Sequence, residues 1–301
     1  MNLLITGAWI NAKDHFKELE ALGHAIAFLP QEQDELPCAP DWVEGVICNW
    51  LFRYHPIGQF ANLRFIQLIT AGYDRIDMDY VRSHNIEIHN VKDVYSIPMA
   101  EYAISGVLQL YRQAGFFHEN QKACRWEKHR GLLELWGKTV TIVGCGYAGT
   151  ECAKRFRAFC CKVIGLNRTV RENEAFDEVL PMDKLDEMLP RTDILLLTVA
   201  LDRETVRLVD RRRLELLPST AVVVNISRGP ILDAAALREM LADGRLAGAV
   251  LDVFENEPLP ASDPLWNTPN LVLTPHNSFV GEGNAERMFT LFERNLREIG
   301  E

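Results

Sequence analysis

Apolar positions along the chain fall into short runs, separated by polar stretches that carry helical spacing. The first runs lie at residues 3–7 (Leu-Leu-Ile-Thr-Gly), 24–29, 43–48 and 65–68 with Ile69. A helix-like pattern covers 12–22, and the polar, proline-bearing segment 31–40 reads as a loop. Strands alternating with helices predict a parallel α/β sheet. Over 99–114, Ala100, Ala103, Ile104, Val107, Leu108 and Tyr111 recur at helical spacing, and Pro98 suits a first turn. From 139 onward the alternation is regular. It predicts strands at 140–143, 162–166, 193–199, 221–226, 248–253 and 271–274, and helices at 150–160, roughly 210–216 and 234–243. Asp233 suits the N-cap of the last of these. A final amphipathic helix over 282–299 aligns Ala285, Met288, Phe289, Phe292 and Leu296. The predicted class is α/β, with two doubly wound parallel-sheet domains.

One run differs from the others in how it ends. The strand Val140–Val143 turns at Gly144-Cys145-Gly146-Tyr147-Ala148-Gly149 and enters a helix whose apolar face carries Ala153, Phe156 and Phe159. Strand, G-x-G-x-x-G, helix is the dinucleotide-binding fingerprint in its structural context. Gly144 permits the tight turn, Gly146 admits a pyrophosphate to the backbone, and Gly149 lets helix and strand pack closely. The helix start, with Tyr147 and Ala148, offers N–H groups and a positive dipole end to the phosphates.

Composition narrows the classes. The chain has 301 residues, 48% apolar and 25% charged, with a net charge of −10. That balance argues against general affinity for nucleic acid or an anionic membrane. No apolar run approaches transmembrane length, and the first residues lack the basic region of a signal peptide. Seven cysteines without any C-x-x-C fit free thiols in a reducing cytosol, and no metal site is expected. Cys145 within the turn reads as a small side chain that fits there rather than a redox sensor.

Ligands of open parallel sheets bind outside the carboxyl ends of the strands. Successive predicted strands here run into Ser227-Arg228-Gly229, into Phe254-Glu255-Asn256-Glu257-Pro258 and into Pro275-His276. An arginine, a carboxylate and a histidine would therefore reach the crevice that holds the dinucleotide. Reduction of a ketone needs a proton donor, and histidine titrates near working pH. A carboxylate beside it stabilises the imidazolium, and an arginine fork holds a substrate carboxylate in two parallel hydrogen bonds. The expected roles are His276 as acid/base, Glu257 as its partner and Arg228 as anion clamp.

These motifs, with Gly137-Lys138-Thr139 ahead of the glycine turn, Asn225-Ile226-Ser227-Arg228-Gly229, Asp252-Val253-Phe254-Glu255-Asn256-Glu257-Pro258 and Thr274-Pro275-His276, resemble those of the D-isomer-specific 2-hydroxyacid dehydrogenases. That family includes glyoxylate/hydroxypyruvate reductases, phosphoglycerate dehydrogenases and formate dehydrogenases. The resemblance spans nearly the whole chain. It implies a split, flavodoxin-like substrate domain of residues 1–98, completed by 279–301, around a central Rossmann domain of residues 99–278. It also implies a cytoplasmic homodimer formed through the nucleotide domain, and a role for Asp252 at the cofactor. Ile69-Thr70-Ala71-Gly72-Tyr73 resembles the substrate loop, which would put backbone N–H groups at Ala71 and Gly72 on the substrate carboxylate. Departures are Tyr102 in place of the family's histidine, Asn277-Ser278-Phe279 after His276, and Tyr95 where formate dehydrogenases carry asparagine, which disfavours formate. Trp50 and Arg53, in a segment that the resemblance turns toward the substrate, are candidate specificity residues.

An NAD enzyme normally places an acid after its second nucleotide strand. This chain has Leu166-Asn167-Arg168-Thr169 instead. Arg168 would pair with a 2′-phosphate, and Asn167 and Thr169 would hydrogen-bond it, so NADP is expected in preference to NAD. The expected activity is hydride transfer between the nicotinamide and a small 2-oxo or 2-hydroxy acid such as glyoxylate or hydroxypyruvate. The alternatives are a non-catalytic dinucleotide sensor on the same fold, or a dehydrogenase of a larger or phosphorylated acid.

Overall fold

The computed structural model describes residues 1–70, 72–73, 75–91 and 93–299. The chain forms two compact units, Met1–Tyr95 with Gly281–Glu301, and Ser96–Val280.

The first unit is built on β1 (Asn2–Thr6), β2 (Ala25–Leu29), β3 (Gly45–Cys48), β4 (Phe65–Leu68) and β5 (Glu87–His89). They lie in the order β2-β1-β3-β4-β5, with every pairing parallel. This is the flavodoxin-type order. Leu3, Leu4 and Ile5 are fully buried, as a strand covered on both faces requires. The C-terminal helix Asn284–Glu298 belongs to this unit: Met288, Leu291, Phe292 and Leu296 join the core that contains Leu3, Ile5 and Phe65. Phe292 meets the edge of Trp9 at 4.9 Å. The buried amide of Asn295 donates to Gln67 Oε1 at 2.8 Å, so this helix also satisfies a polar group inside the sheet. β5 does not stand out in the sequence because it has three residues, two of them polar.

The second unit contains β6 (Thr139–Val143), β7 (Lys162–Asn167), β8 (Glu178–Pro181), β9 (Ile194–Leu197), β10 (Val222–Asn225), β11 (Gly248–Leu251) and β12 (Leu271–Leu273). The order is β12-β11-β10-β9-β6-β7-β8, parallel throughout. The winding reverses between β6 and β9, and the glycine turn leaves β6 at that point. The helix Ser96–Tyr111 buries Ala100, Ala103, Val107 and Tyr111 against the sheet, and Gly106 clears the Val250 side chain. β8 is an edge strand with an exposed Glu178 and a terminal proline, composition that reads as loop. The helix Ala114–Lys122 was likewise not foreseen. Phe159, expected on a buried helix face, lies past the end of the helix Tyr147–Ala158 and is 44% exposed. Among the described residues no helix is long and apolar enough to cross a membrane, and the seven cysteines are unpaired.

Candidate active site

The glycine turn is shaped by contacts that side chains would block. Gly144 has φ +103°, a conformation that favours glycine, and a Cβ there would lie 2.8 Å from Val199 N beyond the end of β9. A Cβ on Gly149 would overlap the Gly144 carbonyl oxygen, so this glycine closes the helix onto the turn. Gly146 faces open space, with nothing within 4 Å of where its Cβ would stand. It is also the N-cap of the helix Tyr147–Ala158 and supplies no side chain to the first N–H groups. Open backbone, unclaimed helix N–H groups and the positive dipole end together fit a pyrophosphate. Tyr147 is 58% exposed beside this opening. The Cys145 sulfur packs over Gly165 of β7, and burial pushes its thiol up to about 11.

Arg228, Glu257 and His276 follow β10, β11 and β12, which are adjacent in the sheet. The loops after β10 and β11 touch directly, since a Cβ on Gly229 would overlap the Phe254–Glu255 backbone. Arg228 is exposed, and its Nη1 donates to the Ser227 carbonyl at 2.8 Å. Asn225 fixes this turn by donating to the Arg228 carbonyl and accepting from Ser227. Glu257 Oε1 accepts from Phe254 N at 2.9 Å, which folds the glutamate back over its own loop. Its other oxygen, Oε2, is 2.7 Å from His276 Nδ1. A carboxylate only accepts, so Nδ1 carries the proton and Nε2 is left to exchange one. The histidine has φ +50°, uncommon for a residue with a side chain.

Asp252, expected at the cofactor, is fully buried at the end of β11. Its Oδ1 accepts from Asn277 N at 2.7 Å and from Thr274 Oγ1, and its Oδ2 accepts from Ser278 N at 2.9 Å. At the end of β7, Asn167 Nδ2 donates to the Thr169 carbonyl at 2.9 Å. Arg168 is exposed and paired with Asp202 at 2.6 Å and Glu204 at 3.1 Å, acids on the loop after β9. These acids were not identified from the sequence, because nothing in the strand pattern brings residues 202–204 beside residue 168.

In the first unit, Gly72 follows β4 and is partly buried, whereas Ala71 lies outside the described residues. Tyr95 donates to the Ile69 carbonyl at 2.7 Å and steadies the start of this segment. After β3, the buried Glu32 accepts from Asn49 N and Trp50 N at 2.6 Å each. The Arg75 guanidinium lies 3.7 Å from the centre of the Trp50 ring and that of Arg53 lies 5.5 Å away. Neither Glu32, in a polar loop, nor Arg75, three residues past Gly72, was singled out from the sequence.

Comparison with known proteins decides the family. A model described as D-isomer specific 2-hydroxyacid dehydrogenase, NAD binding domain, matches residues 104–278. The chain belongs to the D-isomer specific 2-hydroxyacid dehydrogenase family. A glyoxylate reductase of Pyrococcus horikoshii is 33% identical over 244 residues, spanning 78% of this chain and 72% of that protein. A glyoxylate/hydroxypyruvate reductase B of Serratia proteamaculans is 32% identical over 271 residues, spanning 88% and 82%. A D-isomer specific 2-hydroxyacid dehydrogenase of Xanthobacter autotrophicus Py2, solved with NADPH and MES, superposes with a TM-score of 0.79 at 25% identity, covering 99% of this chain and 95% of that one. This 2-hydroxyacid dehydrogenase is an oxidoreductase that moves hydride between a nicotinamide cofactor and a D-2-hydroxy acid or its 2-oxo partner.

Proposed function

We propose that the enzyme reduces small 2-oxo acids such as glyoxylate or hydroxypyruvate, with His276 as the proton donor, Glu257 as its partner and Arg228 as the substrate clamp. The observation that carries this reading is the 2.7 Å contact between His276 and Glu257 on neighbouring strand ends. The glyoxylate and hydroxypyruvate reductases among the relatives support the substrate class.

The reduced nicotinamide supplies the hydride when bound. Arg228 holds the substrate carboxylate through its planar fork, and the family resemblance assigns the backbone N–H groups of Ala71 and Gly72 to substrate binding. His276 gives the proton on Nε2 to the carbonyl oxygen as negative charge develops there. Glu257 keeps Nδ1 protonated, so the ring is turned with Nε2 outward, and its charge offsets that of the imidazolium. The backbone at Gly144, Gly146, Tyr147, Ala148 and Gly149 cradles the pyrophosphate. Asp252, the residue behind the His276 turn, would contribute to holding the cofactor.

NADP is the preferred cofactor in this reading. No carboxylate stands on the end of β7 itself, and Arg168 is available to a 2′-phosphate by exchanging an exposed, solvent-screened ion pair. Asn167 and Thr169 complete that site. The pairing of Arg168 with Asp202 and Glu204 favours a second reading in which NAD is also accepted. We also propose a cytosolic homodimer formed through the nucleotide unit. The exposed Trp126 and Trp136 and the part-exposed Phe117 in that unit support this.

A panel of 2-oxo acids assayed with NADPH and with NADH tests the proposal. Turnover of glyoxylate or hydroxypyruvate with an NADPH preference is expected. Tight cofactor binding without turnover of any acid would instead indicate a sensor, and a strong NADH preference would refute the cofactor assignment.

A further inference from the structure

A hydrogen-bonded chain runs from the helix Ser96–Tyr111 to the turn that carries His276. Thr274 Oγ1 lies 2.7 Å from the Tyr102 hydroxyl oxygen and in hydrogen-bond contact with Asp252 Oδ1. A threonine hydroxyl has one proton, and a carboxylate can only accept. Thr274 therefore donates to Asp252 and accepts from Tyr102. Burial pushes the Tyr102 hydroxyl up to about 12, so it remains a donor throughout the working range of pH. On the far side, Asp252 accepts from the N–H groups of Asn277 and Ser278, the two residues after His276. His276 N in turn donates to the Asp252 carbonyl at 2.7 Å. The histidine sits between these anchors at φ +50°.

Such a backbone conformation is unfavourable for a residue with a side chain and persists only where its surroundings over-determine it. The Asp252 carboxylate is the group that does so. It is fully buried, and among the described residues its carboxylate takes hydrogen bonds from Thr274, Asn277 and Ser278. A buried carboxylate with an unfilled acceptor site is costly, so the position of Thr274 matters to the charge as well as to the turn. Tyr102 fixes the Thr274 hydroxyl rotor, since with its own proton donated to Thr274 it leaves that hydroxyl only Asp252 to bond.

We infer that Tyr102 is a positioning residue, acting through Thr274 and Asp252 to hold His276 in the orientation that delivers its proton. The inference rests on the reading of His276 as the acid. It makes Asp252 a support of the acid, and it gives a role to Tyr102, whose hydroxyl reaches Thr274 from the helix Ser96–Tyr111.

The test compares Tyr102→Phe, Thr274→Val, Thr274→Ser and His276→Ala in the full-length enzyme, with glyoxylate and NADPH as probes. Removing one neutral buried hydrogen bond is expected to lower kcat about three- to tenfold in Tyr102→Phe. KM for both substrates should stay within about twofold, because neither the clamp nor the cradle is touched. The solvent deuterium isotope effect on kcat should rise, as a displaced proton donor makes proton transfer more limiting. Thr274→Val should behave like Tyr102→Phe, and Thr274→Ser, which keeps the hydroxyl, should recover most of the activity. Tyr102→Phe with unchanged kcat and isotope effect, beside an inactive His276→Ala, would overturn the inference alone. Wild-type turnover in His276→Ala would overturn the reading beneath it. If Thr274→Val does not fold, Tyr102→Phe still decides.

Discussion

His276 Nδ1 lies 2.7 Å from Glu257 Oε2, although nineteen residues separate the two in sequence. The contact forms because their strands, β11 and β12, are parallel neighbours and both residues leave the carboxyl ends. Its consequence is chemical. One ring nitrogen is committed to the carboxylate, and the other is presented outward.

Glu257→Gln should therefore keep the fold and lower turnover. An amide at this position can still accept from Nδ1, but it brings no charge to offset the positive ring. The variant should lose about tenfold or more in kcat while thermal unfolding stays close to that of the parent enzyme. Steady-state kcat beside calorimetry checks this. An unchanged kcat would show that the contact is only structural.

Gly146 and Gly149 should separate binding from folding. An alanine at Gly149 collides with the Gly144 carbonyl, so it should cost about 1–3 kcal/mol of stability as well as cofactor affinity. An alanine at Gly146 meets no protein atom within 4 Å. It should leave thermal unfolding unchanged and weaken only the cofactor. Calorimetry beside a fluorescence titration of NADPH distinguishes the two, and equal effects of both changes would contradict the proposed cradle.

Arg168→Ala should raise KM for NADPH about tenfold or more, as loss of a charge-assisted contact to phosphate does, and leave KM for NADH little changed. Asp202→Asn should act oppositely by releasing the guanidinium. Equal changes with the two cofactors would place Arg168 away from the 2′-position.

Cys145 should be slow to alkylate. With its thiol pushed up to about 11, the thiolate is about one part in a thousand at pH 8, and labelling should speed about tenfold per pH unit below that value. Mass spectrometry after iodoacetamide should find Cys124 and Cys160, both exposed, modified first. Early labelling of Cys145 would reopen a redox role for the turn.

The sheet of each unit was legible because its central strands are buried on both faces and read as apolar runs. β5 and β8 escaped because edge strands keep polar residues, and neither Glu87 nor Pro181 marks a strand in one dimension. The contact of His276 with Glu257 was legible because parallel strands deliver their carboxyl ends to one side. The contacts that refine the site were not. The Arg168–Asp202 pair, the grip of Asp252 on Asn277 and Ser278, and the reach of Tyr102 to Thr274 each join residues that no local period relates. Phe159 failed for a local reason, since the helix ends at Ala158, two residues short of the end that its spacing predicts.

The most direct measurement is single-turnover reduction of glyoxylate by His276→Ala with NADPH binding monitored in parallel. The account predicts unchanged cofactor affinity and a rate lower by roughly 10²- to 10⁴-fold, the usual share of a general acid. Wild-type turnover in that variant would contradict it.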